Sequence, residues 1–236
     1  MSDNTAHTAE ALCARYAKIH TAVAYDVLDE MGFPNQALDH EIRPLAPGMR
    51  LAGPAYTARG MAATGPSPSL ASSYQLYREL PPGCVVVIDT GGHRVAGPWG
   101  ENTSLSASVR GAQGAVIDGG TRDLEQLEAM AFPVFARFVT PVIARRRWSM
   151  VEIGQPVLLT GQVAQQVRVE PGDFVLGDRD GVVVIPRRIQ WEVLEAAEEL
   201  ERIEARIQEG LRAGEDREAV YARLPKFAHV RKPKGT

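Results

Sequence analysis

The sequence predicts an α/β protein built on parallel strands, and three observations carry that expectation. CVVVID (84–89) and AVID (115–118) are uninterrupted apolar runs that end in Asp. Runs of this kind suit strands buried on both faces. Each run is followed by a Gly-rich loop, TGGHRVAGPWGE after the first and GGTRD after the second. A single helical stretch over 102–112, with Leu105, Val109 and Ala112 on one face, joins the two units, which is the pattern of a parallel crossover.

The remaining elements follow in order. Residues 8–32 read as a helix, because Leu12, Tyr16, Ile19, Val23, Val27 and Leu28 recur at three- and four-residue steps and Gly32 and Pro34 stop the pattern. Residues 33–50 are Pro-rich and irregular. Residues 51–62 predict a short strand, 63–68 a loop, and 69–80 a short helix stopped by Pro81-Pro82-Gly83. Asn102 or Thr103 is positioned to cap the crossover helix. Leu124, Leu127 and Met130 mark another short helix that ends at Pro133. Strand segments follow at 133–139, 156–161 and 166–173, then a hairpin over 174–186 with Asp180-Gly181 in its turn. A long helix over 187–213 carries a stripe of Ile189, Val193, Ala197, Leu200, Ile207 and Leu211. The reading is one domain over 1–236, with its core at about 20–210 and a frayed tail over about 225–236.

Composition narrows the function classes. The chain has 236 residues, 44% hydrophobic and 23% charged, as ordinary globular proteins do. A net charge of -3 offers no basic excess to attract phosphate backbones, so nucleic acid is not an expected partner. Two distant cysteines, Cys13 and Cys84, form neither a disulfide framework nor a CxxC motif. The polar N-terminal stretch lacks a secretory pattern, and no apolar run is long enough to span a membrane. The expectation is a cytoplasmic protein. The lysines are Lys18, Lys226, Lys232 and Lys234, so none lies between 19 and 225. No G-x-G-x-x-G follows a strand and no GxxxxGK[ST] occurs, which argues against nucleotide binding.

Ligands of open α/β sheets bind at the carboxyl ends of the strands, where both Gly-rich loops lie. Arg122 and Asp123 sit on the second loop. Arg presents a planar fork to carboxylate or phosphate, and Asp can hold a hard divalent cation through oxygen. On spacing alone, a surface Arg beside a helix-start Asp also accounts for the pair. Gly100, Glu101, Asn102 and Thr103 open the crossover helix, whose free N–H groups favour an anion, while Glu101 can hold a water or accept a proton. On these residues alone, a plain helix entry with a capping Asn and a dipole-friendly Glu is the simpler account. His93 stands alone in the first loop, where solvation is the ordinary fate of such a residue. The other histidines make no metal spacing, so any metal is expected to be hard and carboxylate-bound. Glu195, Glu198, Glu199, Glu201 and Glu204 form an acidic helix face that reads as solvated.

Over GENTSLSASVRGAQGAVIDGGTRD (100–123) the sequence resembles the RraA-like family, whose members include class II 4-hydroxy-4-methyl-2-oxoglutarate/4-carboxy-4-hydroxy-2-oxoadipate aldolases and the regulator of ribonuclease E activity. Gly100, Glu101, Gly111, Gly114, Val116, Asp118, Gly119, Arg122 and Asp123 fall in step with the family pattern. One alanine position departs: Ser108 stands there, with Ala107 one residue earlier. YDVLDEMG near the start and PGDFVLGDRDGVVVIP near the end extend the resemblance over about residues 20–210.

The resemblance implies a swivelling β/β/α sandwich like that of phosphohistidine domains, with flanking N- and C-terminal helices, assembled as a homotrimer or homohexamer with sites between subunits. It implies that Arg122 binds the substrate's carboxylate and keto oxygens, that Asp123 binds Mg²⁺ or Mn²⁺ mostly through water, and that N–H groups around Gly100 to Thr103 hold the pyruvyl carboxylate. The aldolases carry an acidic residue, usually Asp, before the Arg-Asp pair; here it is Glu101, one methylene longer. A Glu of the last helix reaches a neighbour's site in such enzymes, and Glu204 is taken for that role.

Cleavage beside a pyruvyl group leaves an enolate, which a lysine Schiff base or a divalent cation can stabilise. The lysine census disfavours the first. The expected activity is therefore metal-dependent retro-aldol cleavage of a 4-hydroxy-2-oxo acid to release pyruvate, with oxaloacetate decarboxylation as a side activity. The competing expectation is a non-catalytic regulator that binds a ribonuclease or another protein. A phosphohistidine carrier using His93 would need a partner domain that the sequence lacks. Arg94 is a candidate for holding a second substrate carboxylate.

Overall fold

The structure is a computed structural model that describes residues 8–63, 65 and 70–233. Its centre is four parallel strands in the order β2 (Leu51–Ala62), β3 (Val85–Asp89), β4 (Gly114–Thr121), β5 (Val134–Val139). The expected crossover is present: α4 (Glu101–Val109) links β3 to β4, which pair in parallel with Asp89 beside Asp118. The strand β1 (Arg43–Pro44) pairs antiparallel with β5. Strand β2 is 12 residues long and serves three neighbours. Its first residues pair with β9 (Phe174–Asp178), its middle with β3, and its end with β6 (Trp148–Ile153). Strand β10 (Gly181–Ile185) completes the sheet beside β9. The pair β7 (Val157–Thr160) and β8 (Gln166–Val169) connects through bridges of residues 37–38 to Val183 and Gly161. The sheet curls into a nearly closed barrel.

Alternation along the strands sorts three cores. Val85, Val87, Val116, Phe135, Val157, Val167, Val175 and Val184 fill the barrel. Val86, Ile88, Ala115 and Ile117 point the other way, under α3 (Leu70–Glu79), α4 and α5 (Leu124–Met130). Phe174, Leu176, Val183 and Ile185 meet α1 (Ala9–Tyr16), α2 (Thr21–Glu30) and the 23-residue α6 (Gln190–Arg212). A parallel strand with helices on one side and a filled barrel on the other is apolar on both faces, which is why CVVVID and AVID read as unbroken runs.

Several expectations are corrected. The helix expected over 8–32 is two helices, because the buried Asp178 carboxylate takes the Thr21 N–H (2.8 Å) and the Thr21 hydroxyl (2.6 Å) and starts α2 afresh. The crossover helix turns Leu105 and Val109 outward, 52% and 78% exposed, and buries Ser104 and Ala107, since small side chains let it lie close to the sheet. The hairpin turn is Arg179-Asp180, one residue earlier than expected, and Gly181 opens β10 at φ 143°. Strand β6 and helix α7 (Arg217–Arg223) were not anticipated. The tail is not frayed over 226–230: Phe227 and Val230 pack on the α1–α2–α6 core, and His229 Nε2 lies 2.9 Å from the Ala196 carbonyl oxygen. The loop expected over 63–68 falls mostly outside the described residues, as do the first residue of the helix expected over 69–80 and tail residues 234–236.

Candidate active site

The two Gly-rich loops leave the carboxyl ends of β3 and β4 side by side and lock together. Trp99 bridges Thr121 in parallel, and its carbonyl accepts the Arg122 N–H at 3.0 Å. The Trp99 ring is buried and donates Nε1–H to Ser104 at 2.7 Å, fixing the entry to α4. The loops meet so closely that side chains are excluded at two points. A Cβ on Gly97 would lie 2.6 Å from Arg122 Cγ, and one on Gly100 would lie 2.5 Å from Asp123 Oδ2.

This contact brings Arg122, Asp123 and the start of α4 into one corner. Asp123 precedes α5 in the left-handed region at φ 59° and makes no cap to its own helix. Its Oδ2 instead accepts the Glu101 N–H at 3.1 Å, at the positive end of α4. Its Oδ1 lies 3.5 Å from Arg122 Nη2. Both side chains are about one third exposed, at 29% and 32%. Arg122 Nε is buried and has no hydrogen-bond partner among the described residues. A buried guanidinium donor without an acceptor is costly unless something occupies it.

Helix α4 starts differently from the expectation. The cap position is Gly100, not Asn102 or Thr103. The Thr103 hydroxyl folds back to accept the Gly100 N–H at 2.8 Å and to donate to the Gly100 carbonyl at 2.6 Å. With Gly100 and Glu101 spent, the Asn102 and Thr103 N–H groups remain for an anion, and no partner takes them among the described residues. The Glu101 side chain is exposed at the same helix end.

The other candidates have their contacts with residues outside this corner. Glu204 is in α6 and pairs with Lys226 at 2.5 Å within its own chain. Arg94 is 73% exposed and faces Glu41 at 3.7 Å. His93 is buried rather than solvated, and its Nε2 accepts the Ala96 N–H at 3.1 Å, so the ring is neutral with the proton on Nδ1. Burial pushes its pKa down. A cavity of about 650 Å³ under α1 lies at the amino ends of β3 and β4, away from Arg122.

A second network was missed. Arg137 projects from β5 with a side chain only 7% exposed. It binds Asp118 through Nε, and its Nη1 donates to Asp39 (2.9 Å) and Glu41 (2.7 Å). Asp118 also accepts the Thr160 N–H at 2.6 Å and the Thr160 hydroxyl at 3.0 Å. The sequence signal is an Arg inside the apolar strand PVFARFV, since a charge buried in a strand needs a partner.

The donor set bears on a metal. Among the described residues no group of three or more His, Cys, Asp or Glu is placed to hold a metal ion. That disfavours an all-protein cage such as a structural zinc site. Mg²⁺ keeps several waters and needs only one or two carboxylates, so the chemistry of Asp123, with Glu101 at the same helix end, fits such an ion.

The corner and the fold define an α/β protein in which two Gly-rich loops interlock beside open helix N–H groups. The family described as RraA-like (Aldolase/RraA) matches residues 21–184, and the chain belongs to it. A relative from Halalkalibacterium halodurans, named provisionally as a 4-hydroxy-4-methyl-2-oxoglutarate aldolase, is 34% identical over 183 residues, 78% of this chain and 80% of that protein. The uncharacterized protein MJ0644 of Methanocaldococcus jannaschii is 39% identical over 118 residues, 50% of this chain. Protein DlpA of Legionella pneumophila is 27% identical over 83% of this chain. The aligned part spans about half the length of the Methanocaldococcus protein (54%) and about a third of DlpA (31%). Among solved structures, one described as novel cellulases from gut-associated microbes superposes with a TM-score of 0.80 at 30% identity, covering 87% of this chain and 90% of that one. RraAS2 of Streptomyces coelicolor, described as an unusual member of the RNase ES inhibitor RraA family, superposes with a TM-score of 0.72 at 27% identity, over 82% and 94%. The swivelling α/β fold implied by the resemblance is the fold of this chain.

Proposed function

We propose that the protein is a lyase that cleaves a 4-hydroxy-2-oxo acid by a retro-aldol reaction to release pyruvate, with Mg²⁺ or Mn²⁺ as cofactor and oxaloacetate decarboxylation as a side activity. The observation that carries this reading is the unspent Nε of Arg122, buried beside Asp123 and next to the open N–H groups of α4. The aldolase names of several relatives support it.

In this reading the Asn102 and Thr103 N–H groups receive the pyruvyl carboxylate at the positive end of α4. Arg122 donates to the 2-keto oxygen, where negative charge develops as the C3–C4 bond breaks. The electron pair of that bond becomes the C2=C3 double bond of an enolate, and the keto π pair moves to the oxygen. The 4-hydroxyl gives up its proton to a water held by Glu101 as C4 becomes a carbonyl. Return of a proton from that water to C3, with the keto group re-formed, completes pyruvate. A divalent cation at Asp123 would add Lewis-acid polarisation of the keto group. A Schiff base has no candidate here, because no lysine lies between 19 and 225 and Lys226 is held by Glu204. A homotrimer or homohexamer, with Glu204 of one subunit serving its neighbour, belongs to the same proposal.

The test is pyruvate release from oxaloacetate and from 4-hydroxy-4-methyl-2-oxoglutarate by EDTA-stripped protein, with and without added Mg²⁺ or Mn²⁺. Metal-dependent pyruvate from both is expected. No pyruvate from either, together with capture of a ribonuclease at micromolar concentration, would replace the lyase reading with that of a regulator.

A further inference from the structure

Arg145, Arg146 and Arg147 are consecutive and all exposed. None forms a salt bridge among the described residues, and Arg145 and Arg146 make no side-chain hydrogen bond there either. No Asp or Glu occurs from residue 129 to residue 151, so the segment has no local counter-charge of its own. Arg146 is held in the left-handed region at φ 68°, a conformation a non-glycine residue adopts at a cost. The backbone around it is nonetheless tied down. Arg147 N–H bonds the Ala144 carbonyl at 2.8 Å, and the Arg147 carbonyl accepts the Ala63 N–H at 2.9 Å.

This turn belongs to the rim of the candidate site. Thr140 N–H bonds the Thr121 carbonyl at 2.9 Å, and Gly97 N–H bonds the Val142 carbonyl at 3.0 Å. Gly97 pairs with Ile143 and abuts the Arg122 side chain. Arg145 follows Ile143 by two residues, which span at most about 7 Å. Paired strands lie about 4.8 Å apart. The backbone of the first arginine is therefore within about 12 Å of the strand that abuts Arg122, about one and a half Debye lengths at physiological salt and well within one at about 20 mM. The corner's own side chains set one cation, Arg122, against two anions, Asp123 and Glu101, so they add no net positive charge to draw in a doubly charged acid. Three guanidinium groups on the rim, none of them in a salt bridge among the described residues, add that charge.

We propose that Arg145, Arg146 and Arg147 form a steering lip that raises the rate at which substrates with two or more carboxylates enter the site. This rests on the reaction proposed above. The lip acts on encounter rather than on the bond-breaking step, so its effect lies in kcat/KM at low salt.

The experiment compares wild type with R145Q/R146Q and with the charge-keeping R145K/R146K. It measures kcat and kcat/KM for oxaloacetate, a dianion, and for 4-hydroxy-2-oxopentanoate, a monoanion, from about 20 to about 500 mM KCl. The glutamine pair is expected to lower kcat/KM for the dianion about five- to tenfold at low salt, with a smaller loss for the monoanion and convergence at high salt. The lysine pair is expected to restore it. Parallel salt curves in wild type and R145Q/R146Q would overturn the lip. If neither acid is turned over, the reaction assignment fails, and calorimetric binding of malonate reads the lip alone. Weaker, less salt-sensitive binding in R145Q/R146Q sustains it, and equal binding overturns it.

Discussion

The Asp123 carboxylate accepts the backbone N–H of Glu101 at 3.1 Å, so the end of the second Gly-rich loop closes the start of the first helix. Neither half of the corner is complete alone. The arrangement ties the side chain expected to hold a cation to the helix end expected to hold the substrate's carboxylate.

Asp123→Asn separates those two roles. An amide oxygen still accepts the Glu101 N–H, so the thermal midpoint should move little. The charge that would hold a divalent cation is gone, and metal-stimulated pyruvate release should fall by about two orders of magnitude or more. Titration of Mn²⁺ by electron paramagnetic resonance checks the cause: unchanged Mn²⁺ affinity would remove Asp123 from the metal site.

Gly100→Ala tests the closeness of the loops. The backbone there is extended, so the strain comes only from the added methyl, 2.5 Å from Asp123 Oδ2. The carboxylate must move, and activity should fall at least about tenfold while the fold persists. Arg122→Ala should cost about a hundredfold or more, as loss of an oxyanion donor does. Wild-type rates in either variant would detach this corner from catalysis.

Arg137 sets a stability prediction. Arg137→Met leaves the buried Asp118 without its guanidinium partner and should destabilise the fold by about 3 kcal/mol. Adding Asp118→Asn removes the stranded charge, so the double variant should be less destabilised than the sum of the singles. Strict additivity in denaturant melts would show that the two side chains are not coupled.

Much of this architecture was legible because strand alternation and apolar runs report burial directly. Val85 to Ile88 and Ala115 to Ile117 announced both strands, and with them that both Gly-rich loops lie at the strands' carboxyl ends. The errors arose where a distant residue overrode local pattern. Asp178 breaks the N-terminal helix from 157 residues away in sequence. Leu105 and Val109 looked like a core face, yet Ser104 and Ala107 are the residues small enough to sit on the sheet. The Arg137 hub joins positions 39, 41, 118 and 160, and no local spacing encodes such a set.

His93 gives the pH dependence. Its pKa is lowered by burial, and its Nε2 must stay unprotonated to accept the Ala96 N–H. The unfolded chain, with an ordinary imidazole near pKa 6.5, therefore binds a proton more readily than the folded one. The His93 contribution to stability is complete above about pH 6.5 and declines as pH falls from there toward the lower folded value. His93→Gln keeps an oxygen that can accept the Ala96 N–H and removes the titration. Its melting midpoint should decline less between pH 7 and pH 5 than that of wild type, and parallel declines would assign the acid sensitivity to other groups.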